Sequence, residues 1–174
     1  NSQPRYIVLA NRHPVLRQRI EASLASLGIP YLIRPSSDYA VSSTALARLL
    51  GTSCGAKAHA KRLPDFWPQL ADASLATMLR AYFDGDGTVG SNGEVIATTA
   101  SRALASDLAY ALKRFGIHAR LRSGRKRATN SAHTGGIYFH VRVSGGEDLR
   151  RFANSIGFDH PEKSAKLRTY MERR

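Results

Sequence analysis

Apolar positions along this chain recur at helical spacing in two separate stretches. Leu16, Ile20 and Leu24, closed by Leu27, mark one helix from about Pro14 to Leu27, and Leu104, Leu108 and Leu112, closed by Phe115, mark another from about Arg102 to Phe115. That spacing sets one apolar stripe on a helix face. Gly28 and Gly116 follow, each suited to the left-handed residue that ends a helix. Pro14 suits a first turn and Ser101 an N-cap. Runs rich in β-branched and aromatic residues flank both helices: Tyr6 to Leu9 and Val95 to Thr99 before, Ile29 to Arg34 and Ile117 to Arg122 after. A further strand and helix follow in each case, at Tyr39 to Ser42 and Leu46 to Leu50, then at Ile137 to Val143 and Leu149 to Ile156.

The two stretches are copies of each other. An offset of 88 carries Ile7-Val8 onto Val95-Ile96, Leu16 onto Leu104, Gly28-Ile29 onto Gly116-Ile117 and Arg34 onto Arg122. Further on, an offset of 102 carries Val41 onto Val143, Gly55 onto Gly157 and Lys61 onto Lys163. The second copy therefore gains 14 residues between its last two strands, roughly Ser123 to Gly136, which predicts a mobile basic loop containing Arg125, Lys126 and Arg127. The expected organisation is an α+β chain with an N-terminal repeat over 1–70 and a C-terminal repeat over 71–174.

Charge then narrows the partner. Among 174 residues, 26 Lys and Arg stand against 13 Asp and Glu, leaving +13, which favours a polyanion. The lone cysteine, Cys54, excludes an intramolecular disulfide and a thiolate zinc site, so a reducing intracellular compartment, cytoplasm or nucleoid, is expected. No apolar run reaches the roughly 18 residues of a membrane span, and no membrane partner is expected.

Alternation places the charge. In His118-Ala119-Arg120-Leu121-Arg122 the basic residues share one strand face, and in Ile137 to Val143 the residues Tyr138, His140 and Arg142 do the same. Two strands thus predict a cationic, aromatic-bearing face suited to a DNA groove, where arginine reads guanine edges and other groups grip phosphate. The first copy offers Pro30, Leu32 and Arg34 there, an apolar and weaker face.

Between the copies, Leu75, Met78, Leu79, Tyr82 and Phe83 form the stripe of a helix with Asp72 as its candidate N-cap, ending in Asp84-Gly85-Asp86-Gly87. Thr77, Ala81 and Gly85 recur at fours, a small-residue face fit for close approach of a second helix. Paired carboxylates on so basic a chain are a candidate divalent-metal site. An EF-hand is excluded, because Val89 and Val95 occupy the loop positions that require Gly and Glu. A glycine-rich turn with solvated aspartates is the alternative.

Leu79-Arg-Ala-Tyr-Phe-Asp-Gly-Asp-Gly87 resembles the LAGLIDADG motif of homing endonucleases, particularly the double-motif enzymes carried in inteins. Lys61-Arg62-Leu63-Pro64, and Phe152 to Phe158 with Lys163 beyond, resemble that family's flanking blocks. The resemblance implies the LAGLIDADG homing-endonuclease fold, a pseudo-twofold pair of αββαββα repeats with two saddle-shaped antiparallel sheets over double-stranded DNA. It implies a site-specific endonuclease using Mg²⁺ or another divalent cation. Asp86 would hold metal, with Gly85 beside it, and Lys61 and Lys163 would be auxiliary cations. The DNA-contacting set would be Arg34, His118, Arg120, Arg122, Arg125, Lys126, Arg127, Tyr138, His140 and Arg142. Thr77, Ala81 and Gly85 would face a partner helix.

One departure qualifies this. Moved back by 88, Asp86 falls before Asn1, so the first repeat is expected to be incomplete here, without its motif helix. The expectation is that an upstream part of the parent chain, or a second copy, completes it. A non-cleaving DNA- or RNA-binding module on the same scaffold is the alternative.

Overall fold

The computed structural model describes residues 6–126 and 136–173. Arg127, expected on the basic loop, lies outside them, as does most of that loop. The chain forms two compact units, Asn1–Ala56 and Lys57–Arg174.

In the first unit, Ile7–Leu9 (β1) leads to Pro14–Ser26 (α1), Leu32–Ile33 (β2), Tyr39–Val41 (β3) and Thr44–Cys54 (α2). The antiparallel sheet has the order β1-β3-β2, pairing Ile7 with Val41 and Ile33 with Tyr39. Leu16, Leu24, Tyr39, Val41 and Ala47 fill a small core. Tyr39 buries its ring there and donates its hydroxyl to Glu21 at 2.6 Å, while the Arg17 guanidinium lies 4.7 Å from the ring centre. Burial, before the Glu21 bond, raises the Tyr39 pKa.

In the second unit, a connector with short 3₁₀ turns at Ala58–Ala60 and Trp67–Gln69 precedes Asp72–Asp86 (α3) and Gly87–Val89 (β4). Val95–Thr99 (β5), Arg102–Lys113 (α4), Arg120–Lys126 (β6), Gly136–Val143 (β7), Gly146–Ser155 (α5) and Pro161–Glu172 (α6) follow. The four-stranded antiparallel sheet runs β4-β5-β7-β6. Its inner face, with Val95, Ala97, Val141 and Val143, packs on Leu104, Leu108 and Leu112 of α4 and on Leu75, Leu79 and Phe83 of α3. Phe83 meets Phe152 edge to face at 5.1 Å. Each such fully buried side chain contributes about 1.5–3 kcal/mol.

The duplication survives in the element order. An offset of 88 takes the start of α1 to the start of α4, and 102 takes the start of α2 to the start of α5. The strand order β1-β3-β2 repeats as β5-β7-β6. Gly28 and Gly116 both take the left-handed conformation, at φ 63° and 68°, and Ser101 caps α4 by accepting from the Leu104 N–H at 3.2 Å.

Three expectations are corrected. Asp72 is not a cap but the first residue of α3, with Ala71 before it; its carboxylate pairs with Arg114 at 2.8 Å. A first-turn acid still complements the helix dipole. The α2 helix starts at Thr44 rather than Leu46, because Ser43 caps it through the Leu46 N–H, and it runs past Leu50 to Cys54. The second-copy strand starts at Arg120 rather than Ile117 and continues to Lys126, so the presumed loop begins as a paired ribbon. The connector lies with the second unit: Leu63 enters its core and donates its N–H to Asp107 at 3.0 Å, and Trp67 packs against it. Among the described residues, no helix is long and apolar enough to cross a membrane.

Candidate nucleic-acid interface and carboxylate centre

Strand register sorts the outer face of the second sheet into rows. Arg120, Arg142, Ile96 and Thr88 line one row across all four strands; Arg122, His140 and Thr98 line the next; Gly124 and Tyr138 the third. Directly paired residues share a face, so Arg120, Arg122, Tyr138, His140 and Arg142 stand together, opposite the helices. His140 Nδ1 lies 3.0 Å from the Thr98 hydroxyl, and Arg142 Nη1 lies 3.6 Å from Glu94. Arg120 and Arg122 are exposed and make no ion pair among the described residues. Lys126 ends β6 in the same register, opposite Gly136.

Two of the basic positions sit elsewhere. Arg125 pairs with Ile137 and points to the other side of the ribbon. His118 precedes β6; its N–H donates to Asp148 at 2.9 Å, and its ring lies 3.4 Å from the same carboxylate, at the start of α5. In the first unit, Val8, Ala40 and Leu32 line the outer face, with Leu32 71 % exposed. Arg34 is exposed there, its guanidinium 5.3 Å from the Tyr6 ring. That face is as apolar as the sequence predicts.

The carboxylates at the end of α3 have opposite surroundings. Asp84 is buried and accepts from the N–H groups of Asp159 (3.1 Å) and His160 (3.0 Å), the chain entering α6. Asp86, the last residue of α3, is exposed. Gly87 then turns directly into β4: a Cβ there would meet the Phe83 carbonyl oxygen at 2.5 Å, so only glycine lets the strand leave so close to the helix. The exposed carboxylate thus stands where the motif helix hands over to the cationic sheet.

Lys163, in the first turn of α6, donates its ammonium to the Phe83 carbonyl at 3.1 Å and the Asp84 carbonyl at 2.6 Å. Burial lowers its pKa, opposed by the negative charges of Asp84 and Asp86. Tyr82, one turn before Asp86, has a buried hydroxyl with no hydrogen-bond partner among the described residues, and its pKa is raised by burial and then by Asp86. Lys61 is exposed; its carbonyl accepts from the Ser101 hydroxyl at 2.5 Å, so its backbone is tied to the start of α4. Thr77, Ala81 and Gly85 are all exposed, and a Cβ on Gly85 would meet nothing within 4 Å.

Sequence reading missed Arg80 and Asp159. Arg80, one turn before Asp84, donates Nε to the Ile156 carbonyl at 2.5 Å and lies 3.8 Å from Asp159. The available signal was its helical spacing from Asp84, which puts both on the face toward the α5–α6 turn. Ile96 and Thr98 were missed as members of the outer face, because β5 carries no charge to draw attention to its alternation.

Comparison with known proteins places these features. Residues 73–157 match the LAGLIDADG-like domain family. Over 169 residues, 94% of this chain, the sequence is 34% identical to a replication factor C small subunit of Thermococcus kodakarensis, covering 18% of that protein. It is 38% identical over 113 residues, 65% of this chain, to a replication factor C small subunit of Methanocaldococcus jannaschii, covering 6% of it. It is 32% identical over 109 residues, 59% of this chain, to a replicative DNA helicase DnaB of Rhodothermus marinus, covering 11% of it. The chain thus spans less than a fifth of these curated relatives. The crystal structure of I-DmoI in complex with DNA and Ca matches with a TM-score of 0.60 at 12% identity, over 94% of this chain and 83% of that one. With its motif on α3 and its two antiparallel sheets, the chain carries a LAGLIDADG-like domain over residues 73–157 and has the fold of the LAGLIDADG homing endonucleases.

Proposed function

We propose that this chain is the DNA-recognition and cleavage segment of a site-specific double-stranded DNA endonuclease. The observation that carries this reading is the juxtaposition at Gly87: an exposed carboxylate, Asp86, ends the motif helix where that helix passes into a sheet whose outer face holds Arg120, Arg122, His140 and Arg142. Beside phosphate, a carboxylate at that place weakens the hold on DNA unless it binds a metal ion. The positive face would neutralise backbone charge and admit base contacts in the major groove.

The residues at the end of α3 fit a divalent cation only in company. Among the described residues, no cluster of three or more His, Cys, Asp or Glu side chains is present. Asp84 is committed to backbone N–H groups, which leaves the Asp86 carboxylate and the Gly85 carbonyl as protein ligands. One carboxylate with substrate phosphate and water is a common arrangement for Mg²⁺. When bound, the ion neutralises charge on the scissile phosphate and makes its water more acidic. Asp86 would hold it, Asp84 and Lys163 would fix the helix end that carries Asp86, and Lys61, with its exposed ammonium, would add a positive charge at the phosphate.

The open face of Thr77, Ala81 and Gly85 supports a partner helix, from an upstream part of the parent chain or a second copy. Related segments occupy small fractions of unrelated proteins, including replication factor C small subunit, DnaB helicase and elongation factor 2. That distribution supports an insertion element, an intein-borne endonuclease working inside the cell. The test is a selection for bound duplexes from a randomised library using the full-length protein, then cleavage of the selected site with Mg²⁺ and with EDTA. Cutting that needs the metal supports the reading; tight duplex binding without cutting in either condition would replace it with a non-cleaving binding module.

A further inference from the structure

The outer face of the second sheet carries a carboxylate that a polyanion-binding surface should avoid. None of β4, β5, β6 or β7 contains Asp or Glu, yet Glu94 immediately precedes β5 in phase with Ile96 and Thr98, on the cationic face. It lies diagonally across from Arg142, whose register partner is Ile96, and its carboxylate is 3.6 Å from Arg142 Nη1. A diagonal neighbour is within reach of a long side chain.

We infer that Glu94 is a specificity-determining positioning residue, which holds Arg142 as the reader of a guanine in the bound duplex. The inference rests on the DNA-binding reading above and goes beyond it by naming a base. Arg142 lies on an inner strand, in the row that crosses all four strands, whereas Arg120 in the same row lies on the edge strand β6. On this assignment Arg142, on the inner strand, meets a base edge, and Arg120, on the edge strand, meets phosphate, a contact that positions the duplex without specifying its sequence. Arg120 and Arg142 are direct cross-strand neighbours, and like charges so placed repel. Glu94, on the far side, draws the Arg142 guanidinium toward β5 and turns Nη1 toward its carboxylate. The Nε and Nη2 donors remain as a fork of the kind that fits guanine O6 and N7. A half-exposed ion pair of this length adds little stability, and next to phosphate it opposes binding. Its effect is therefore on which base is accepted rather than on how tightly DNA is held.

The experiment is a binding selection from a randomised duplex library with the full-length protein, its Glu94→Gln variant and its Arg142→Ala variant, with thermal unfolding of each as a control. The expected result is one guanine position in the wild-type site that both variants lose, by roughly tenfold in discrimination, with all other positions kept. Glu94→Gln should also bind non-specific duplex at least as tightly as wild type, since a negative charge is gone; a structural defect would instead weaken all binding together. Retention of that guanine by Glu94→Gln, or an equal relaxation at every position, would overturn the inference while leaving DNA recognition standing. Absence of any selected site for the wild type would instead remove the function on which it rests.

Discussion

Asp84 and Lys163 exchange helix caps. The Asp84 carboxylate, at the end of α3, accepts from the N–H groups of Asp159 and His160 that open α6, and the Lys163 ammonium, in the first turn of α6, donates to the last carbonyls of α3, Phe83 and Asp84. Each residue places charge against the end of the other's helix where the dipole favours it. Two backbone ends that would be unsatisfied inside the domain are thereby closed, and Asp86 is carried on a fixed helix terminus.

Removing one side of the exchange should destabilise the domain. Asp84→Ala leaves two buried N–H groups without an acceptor and should cost about 2–3 kcal/mol. Asp84→Asn keeps an acceptor oxygen and should cost less. Urea unfolding of both variants tests the order; equal stability for wild type and Asp84→Ala would show that the bonds carry no weight.

Lys163 adds a pH dependence whose sign is fixed by burial. Its folded pKa lies below its ordinary 10.5, so in the alkaline window between the two values the unfolded chain binds more protons and stability rises with pH. Below that window the ammonium is charged in both states and the contribution is constant. Lys163→Met should lack this alkaline rise in the unfolding free energy.

Tyr82 should act in the opposite direction. Its phenol is held protonated past its ordinary 10.0 by burial and by Asp86, so stability falls as pH rises above about 10, where the unfolded chain ionises first. Because the hydroxyl has no partner among the described residues, Tyr82→Phe should be neutral or stabilising by about 1 kcal/mol at pH 7 and should remove this part of the alkaline loss. Clear destabilisation at pH 7 would mean that the hydroxyl is satisfied in solution.

Two glycines separate folding from assembly. A Cβ at Gly93, where φ is +75°, would run into the Tyr170 ring, whereas one at Gly85 meets nothing within 4 Å. Gly93→Ala should lower the melting temperature of the protein sharply. Gly85→Leu should leave the folding of the second unit intact and impair DNA cleavage by obstructing a partner helix. Full cleavage by Gly85→Leu would argue that no helix docks on that face.

Binding should be steeply dependent on salt, with log K falling by about 0.9 per phosphate neutralised. Arg120, exposed on the edge strand, should contribute about one such unit, so Arg120→Ala should flatten the slope by about 0.9 and weaken all sequences alike. Titrations at several salt concentrations check this.

Much of the fold was legible because it is periodic. Alternation at 120–122 and 138–142 put Arg120, Arg122, Tyr138, His140 and Arg142 on one face, and spacing at fours located α1, α3 and α4. His118 broke the pattern because Asp148, 30 residues away, binds its N–H and keeps it out of the strand. The connector at 57–70 carries no periodic signal of where it packs; hydrogen bonds with Ser101 and Asp107 attach it to the second unit. The exchange between Asp84 and Lys163 joins residues 79 apart, a separation at which no local spacing rule operates. Spacing alone does not separate the paired aspartates; the motif resemblance singles out Asp86, and burial marks Asp84 as structural and leaves Asp86 exposed.

The central claim is that Asp86 is the catalytic carboxylate of a DNA-cutting site, and a supercoiled plasmid bearing the selected target tests it most directly. With Mg²⁺ the full-length wild type should give linear product, while Asp86→Asn, bound with unchanged affinity, should leave the plasmid uncut or nicked in one strand. Linear product from Asp86→Asn at the wild-type rate would contradict the account.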